Sequence, residues 1–109
     1  MAVATVTVNG KVLGPSGVGY SGKIVAELSA RGYATDGGTK QWVGGKSKYA
    51  IASDGAVSFT ILPNANLTPA GSHYVVTFTL DDPERSTWQE KWQVAATPDP
   101  VNIGEIPRV

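Results

Sequence analysis

Large apolar residues recur at every second position in several stretches of the chain, the period of a half-buried β-strand. Tyr74, Val76, Phe78 and Leu80 alternate with His73, Val75, Thr77 and Thr79, which predicts a strand with the first set inward. Ile24, Ala26 and Leu28, set against Lys23, Val25 and Glu27, predict another over residues 23–29. Tyr49 and Ile51, then Val57, Phe59 and Ile61, flank Asp54-Gly55. Asp-Gly readily supplies the positive φ of a tight turn, so residues 47–53 and 56–62 read as a paired antiparallel hairpin. Ala2, Ala4, Val6 and Val8 share one face of an opening strand, which Asn9-Gly10 interrupts as a hairpin turn or as a bulge.

Elsewhere the pattern fades or is broken. Pro63 has no donor for a ladder and ends its strand, and residues 14–19 are a loop by composition. Gly37-Gly38 and Gly44-Gly45 bracket a short segment, 39–43, that reads as an edge strand or a flap. Its Trp42 is either core or, if exposed, an aromatic anchor for a partner. Over residues 86–94, Trp88, Trp92 and Val94 share a parity with Glu90. A carboxylate between inward tryptophans is costly unless it is paired or turned toward an edge. Residues 95–109 carry Pro98, Pro100 and Pro107 among Val101, Ile103, Ile106 and Val109. Three prolines exclude a helix or a central strand, leaving an extended strap over the chain's own sandwich or an arm that adds to another chain.

A length of 109 residues fits one domain that buries about two-thirds of its unfolded surface. The expected architecture is all-β, a single antiparallel β-sandwich of two sheets over residues 1–97, with an extended C-terminal arm at 98–109. Nine basic and nine acidic residues balance, so no net field favours nucleic acid or an anionic membrane. Without cysteine there is no disulfide framework, thiol catalysis or thiolate metal site. The first residues lack the basic start and apolar block of a signal peptide, and no apolar run approaches the ~18 residues of a membrane span. A soluble protein made in the cytoplasm is expected.

The candidate chemistry is sparse. His73, the single histidine, has no evident partners for a zinc site or a nucleophile relay. Glu27 and Glu90 are the pair to consider for glycoside hydrolysis, if a groove brings them together. Asp81, Asp82 and Glu84 offer oxygen ligands suited to calcium but lack the spacing of an EF-hand loop, so a charged turn is the expectation. The chain is expected to be no enzyme and to need no cofactor.

Two groups of residues resemble known families. Val6-Thr7-Val8-Asn9-Gly10-Lys11-Val12-Leu13, the Gly-Pro-Ser-Gly loop, Ser21-Gly22, the strand from Lys23, and Ser53-Asp54-Gly55-Ala56-Val57-Ser58-Phe59 resemble carboxypeptidase-regulatory-like and other transthyretin-like sandwiches. Leu67, Pro69 and Gly71 ahead of Tyr74 resemble the tyrosine corner of immunoglobulin-like sandwiches, whose hydroxyl bonds back to the crossover. The run from Ile61 to Tyr74, the strand holding Trp88 and Trp92, and the tail Asp99-Pro100-Val101-Asn102-Ile103-Gly104-Glu105-Ile106 look like small Ig-like domains of tailed-bacteriophage structural proteins. That resemblance implies a virion protein on the outer capsid surface or tail. A capsid decoration, or cement, protein is the first expectation, because fibre domains continue into a shaft whereas this sequence stops at Val109. A tail-fibre or tail-attachment domain and a carbohydrate-binding or adhesive module are the alternatives. The implied partners are the major capsid protein or other virion proteins, with self-association open and neither nucleic acid nor membrane expected. Trp42, Val101, Ile103, Ile106 and Val109 are the candidate contact residues.

Overall fold

The computed structural model describes residues 5–108 apart from 15, 37–38, 65–66, 69–70 and 98; Ala2, Ala4 and Val109, singled out above, lie outside the described residues. The strands are β1 (Val6–Lys11), β2 (Gly22–Leu28), β3 (Gly32–Asp36), β4 (Thr39–Val43), β5 (Lys46–Ile51), β6 (Ala56–Ile61), β7 (Tyr74–Leu80), β8 (Thr87–Trp92) and β9 (Val101–Asn102). They form a three-stranded sheet in the order β6-β1-β9, a four-stranded sheet β5-β2-β7-β8, and a two-stranded ribbon β3-β4. The alternation read from the sequence sets their inner faces. Val6, Val8, Val57 and Ile61 from one sheet meet Ile24, Ala26, Val76, Phe78 and Trp92 from the other in one buried core. The fold is an all-β sandwich.

Two connections differ from the sequence reading, and a third decides between its alternatives. Residues either side of Asp54-Gly55 do not pair as a hairpin: β5 pairs with β2 and β6 with β1. The turn instead carries the chain from one sheet to the other, a step of about 10 Å that lets both apolar alternations face the same core. Gly55 has φ +87° and packs so tightly that an added Cβ would lie 2.4 Å from the Val12 carbonyl oxygen. Tyr49 and Phe59, on the two strands that the turn connects, stack with their centroids 4.1 Å apart.

Asn9-Gly10 is neither a turn nor a break, since β1 pairs with β6 through Lys11. Glycine suits that position because its φ is +131°, which L side chains rarely adopt, and a Cβ would also crowd Ile103 Cγ2 at 3.0 Å. For the tail, the structure takes the first of the two alternatives left open by its prolines, a strap over the chain's own sandwich. It is not a free arm: β9 adds in parallel to β1, with Val8 opposite Val101 and Asn9 opposite Asn102, so the sandwich is not purely antiparallel. A 3-10 turn, Ile103–Glu105, follows, and then the chain reaches the edge of the other sheet, where the Gln93 N–H donates to the Pro107 carbonyl at 2.9 Å. The strap closes the side of the sandwich opposite the Asp54 turn.

The crossover from β6 to β7 is fixed by two side chains. The Tyr74 hydroxyl donates to the Leu62 carbonyl at 2.6 Å, a bond back to the crossover of the kind that the tyrosine-corner resemblance implies. Burial, with Tyr49 nearby, pushes the Tyr74 phenol up, so it remains a donor. Asn64, itself buried, donates through Nδ2 to the Ser72 carbonyl at 2.7 Å and to Gln93 Oε1 at 3.1 Å, while its Oδ1 accepts from the Val94 N–H at 2.6 Å.

Candidate functional site

The most distinctive feature of the surface comes from the hairpin that begins at β2. Glu27 opposes Lys46 at the end of the β2-β5 ladder, and the pairing resumes beyond the sheet with Gly32 opposite Val43. The chain therefore makes one long hairpin whose stem belongs to the four-stranded sheet and whose outer part is the β3-β4 ribbon. A bend at Ser29–Ala30 separates the two parts.

The ribbon is seated by its inner face. Ala34 is buried, Val43 packs against the core, and Tyr33 exchanges backbone hydrogen bonds of 2.9 Å with Thr68 in both directions. Tyr33 and Trp42 are register partners on the opposite face. Their rings meet edge to face at 5.4 Å, and Lys40 Nζ sits 4.8 Å from the Tyr33 centroid. Trp42 is 71 % exposed, so of its two sequence readings the surface anchor is the one the fold selects. The sequence could not decide this, because the two apolar residues of this five-residue strand, Trp42 and Val43, are adjacent and so have opposite parity.

The tail residues lie differently. Ile103 and Ile106 are buried in the chain's own core and Val101 is half-buried against it, which corrects their assignment as outward contacts. Their spacing marked them as apolar but did not say which surface they would cover. A partly open apolar cavity of about 190 Å³ remains beneath the strap, lined by Val6, Val8, Val94, Val101 and Ile106 among others.

Arg108, which no pattern in the sequence singles out, clamps the strap. Its Nη1 donates to the Ile103 carbonyl at 3.0 Å and to the Ile106 carbonyl, and its Nη2 to Glu90 Oε1 at 2.7 Å. Glu90 also accepts from Trp92 Nε1 at 2.9 Å, and the guanidinium lies 5.5 Å from the Trp92 ring centroid. The carboxylate between two tryptophans is thus paired, as its environment demands.

The remaining candidates do not converge. Glu27 stands opposite Val75 and Glu90 opposite Val76, so the alternation of β7 puts the two carboxylates on opposite faces of the sheet. Glu27 faces outward with Lys46 at 3.8 Å, and Glu90 is held by Arg108, which leaves no acid and base flanking a common groove. His73 contributes its backbone, with its N–H donating to Ser29 Oγ at 3.0 Å and its carbonyl accepting from the Ser29 N–H. The acidic turn is internally satisfied: Asp82 accepts from Ser86 Oγ at 2.6 Å and from the Ser86 N–H at 2.7 Å, and Asp81 accepts from Ser21 Oγ at 3.0 Å. Those Ser86 bonds hold the Asp82 carboxyl below its usual range. Among the described residues no three His, Cys, Asp or Glu side chains gather to hold a metal ion, and no helix is long and apolar enough to cross a membrane. Compared with family models, curated proteins and solved structures, the chain shows no match.

Proposed function

We propose that the chain is a structural protein of a bacteriophage virion, a capsid decoration protein that binds the outer shell through its long hairpin and stabilises it. The observation that carries this reading is Trp42, 71 % exposed on a two-stranded ribbon separate from both sheets of the sandwich. A large aromatic held on a seated ribbon is poor economy for a solitary molecule and suits an interface anchor. Such a clamp needs no reacting groups: its effect comes from modest contacts repeated over a symmetric lattice. The likeness of residues 61–74 and of the tail to Ig-like virion domains points the same way, and attachment at the tail rather than the shell would use the same surface.

Trp42→Ala is expected to lower occupancy on expanded, undecorated capsids at least about tenfold, the loss typical of an interface hot spot, with the melting temperature unchanged. Quantifying bound protein after sedimentation of the shells checks this, and undiminished occupancy would overturn the hairpin's role. One feature favours a second reading. The edge-to-face Tyr33–Trp42 pair is an exposed aromatic surface on which a sugar ring could stack. Glycan-array binding that Trp42→Ala abolishes, without shell binding, would assign the chain as a carbohydrate-binding module instead.

A further inference from the structure

Strands β4 and β5 follow one another with only Gly44 and Gly45 between, and each is paired on one side alone, β4 with β3 and β5 with β2. Among the described residues nothing pairs with their other side, so residues 39–51 present a nearly continuous free edge. Such an edge is a template for a further strand. Its outward positions follow the alternation: Lys40 and Trp42 on β4, Lys46 and Lys48 on β5. Residues 39–51 contain three lysines and no acidic residue, although the chain as a whole is neutral. Lys23 on the outward face of β2 and Arg31, alongside Gly44, add to the positive charge, and among the described side chains of this face the acid is Glu27, 3.8 Å from Lys46.

We infer that this edge accepts an extended acidic segment of another protein by strand addition, with Trp42 as its apolar anchor. The inference rests on the hairpin's being the partner surface and names the chemistry of what binds there. Edge lysines by themselves are a common guard against aggregation, because two copies paired along this edge would set lysine against lysine. Trp42 does not fit a purely protective edge, since a guarded strand gains nothing from its largest side chain being left in water. The combination selects instead. Lysine at alternate positions, about 7 Å apart, matches carboxylates at alternate positions of an incoming strand, and the tryptophan supplies contact area that charge alone lacks.

The test uses the full chain and a decapeptide of alternating Glu and Val, followed by Trp fluorescence and calorimetry. Expected are saturable binding at low ionic strength, loss of affinity by at least about tenfold on raising salt from 0.01 to 0.15 M, and a similar loss in Lys40→Glu and Lys48→Glu, both exposed positions whose folding is checked by circular dichroism. The same peptide N-methylated at alternate residues is expected not to bind, because it cannot form the ladder. Absence of peptide binding at low salt, equal binding of the N-methylated peptide, or tighter binding of heparin or duplex DNA would each overturn the inference. Peptide binding without any shell occupancy would leave it standing and remove the virion reading; shell occupancy unaffected by Lys40→Glu and Lys48→Glu would do the reverse.

Discussion

Removing residues 98–109 is expected to destabilise the whole domain, not merely to release an arm. The truncation deletes Ile103 and Ile106, both buried, and uncovers the Trp92 ring against which Arg108 lies. At about 2 kcal/mol for each isoleucine, the loss is at least ~4 kcal/mol before the Glu90–Arg108 pair is considered. A domain of this size has about 5–15 kcal/mol in total, so the melting temperature should fall by ~15 °C or more. Thermal unfolding followed by near-ultraviolet circular dichroism checks this, since the tryptophans report the core. Little change in the transition would mean that the strap is not part of the cooperative unit. Loss of shell binding in the truncated chain would therefore not identify the tail as the contact surface, whereas Trp42→Ala separates binding from folding.

Asn64→Ala is expected to cost about 2–4 kcal/mol, large for a polar residue in a connection, because it leaves the buried Val94 N–H without its partner and the Ser72 carbonyl with only a long bond, 3.5 Å, from Gln93 Nε2. The Asn64 side chain joins three segments: the start of the crossover, the approach to β7 and the start of the tail. Asn64→Asp is expected to be no better near neutral pH, because its second oxygen would face the Ser72 carbonyl and its charge would be buried. Acidification should reduce the deficit of the Asp variant, since the protonated carboxyl regains a donor. Urea unfolding of the three proteins at two pH values checks the order. An Ala variant within about 0.5 kcal/mol of the parent would remove Asn64 from this role.

What could be read in the sequence was set by period and composition. Strands β2 and β7 were legible because their inward and outward residues differ in character at each step, as Ile24, Ala26 and Leu28 do from Lys23 and Glu27. Strand β3 was not, because Gly32 and Ala34 are small enough to be buried without an apolar signal. Alternation also says which way a residue faces but not which strand lies beside it, so Asp54-Gly55 suggested a hairpin when it is a crossing between sheets. Gly10 shows the same limit in reverse: its φ of +131° belongs to a strand that must pass close under Ile103, a neighbour almost the whole chain away. Asn64 gave no signal at all, since asparagine beside proline reads as a turn wherever it occurs. For Trp42 the sequence leaves core and surface both open, and the register with Tyr33 and the burial of Ala34 select the surface.

The proposed role is that of a passive clasp, in which a sandwich strapped by its own tail would offer a basic, tryptophan-bearing hairpin to a partner. The most direct test is the number of copies in purified virus particles, measured by quantitative mass spectrometry against the major shell subunit. A decoration protein is expected in a fixed, lattice-scale ratio to that subunit, and a few copies per particle would move it to the tail. Its absence from particles, with the folded protein recovered elsewhere in the cell, would contradict the virion role altogether.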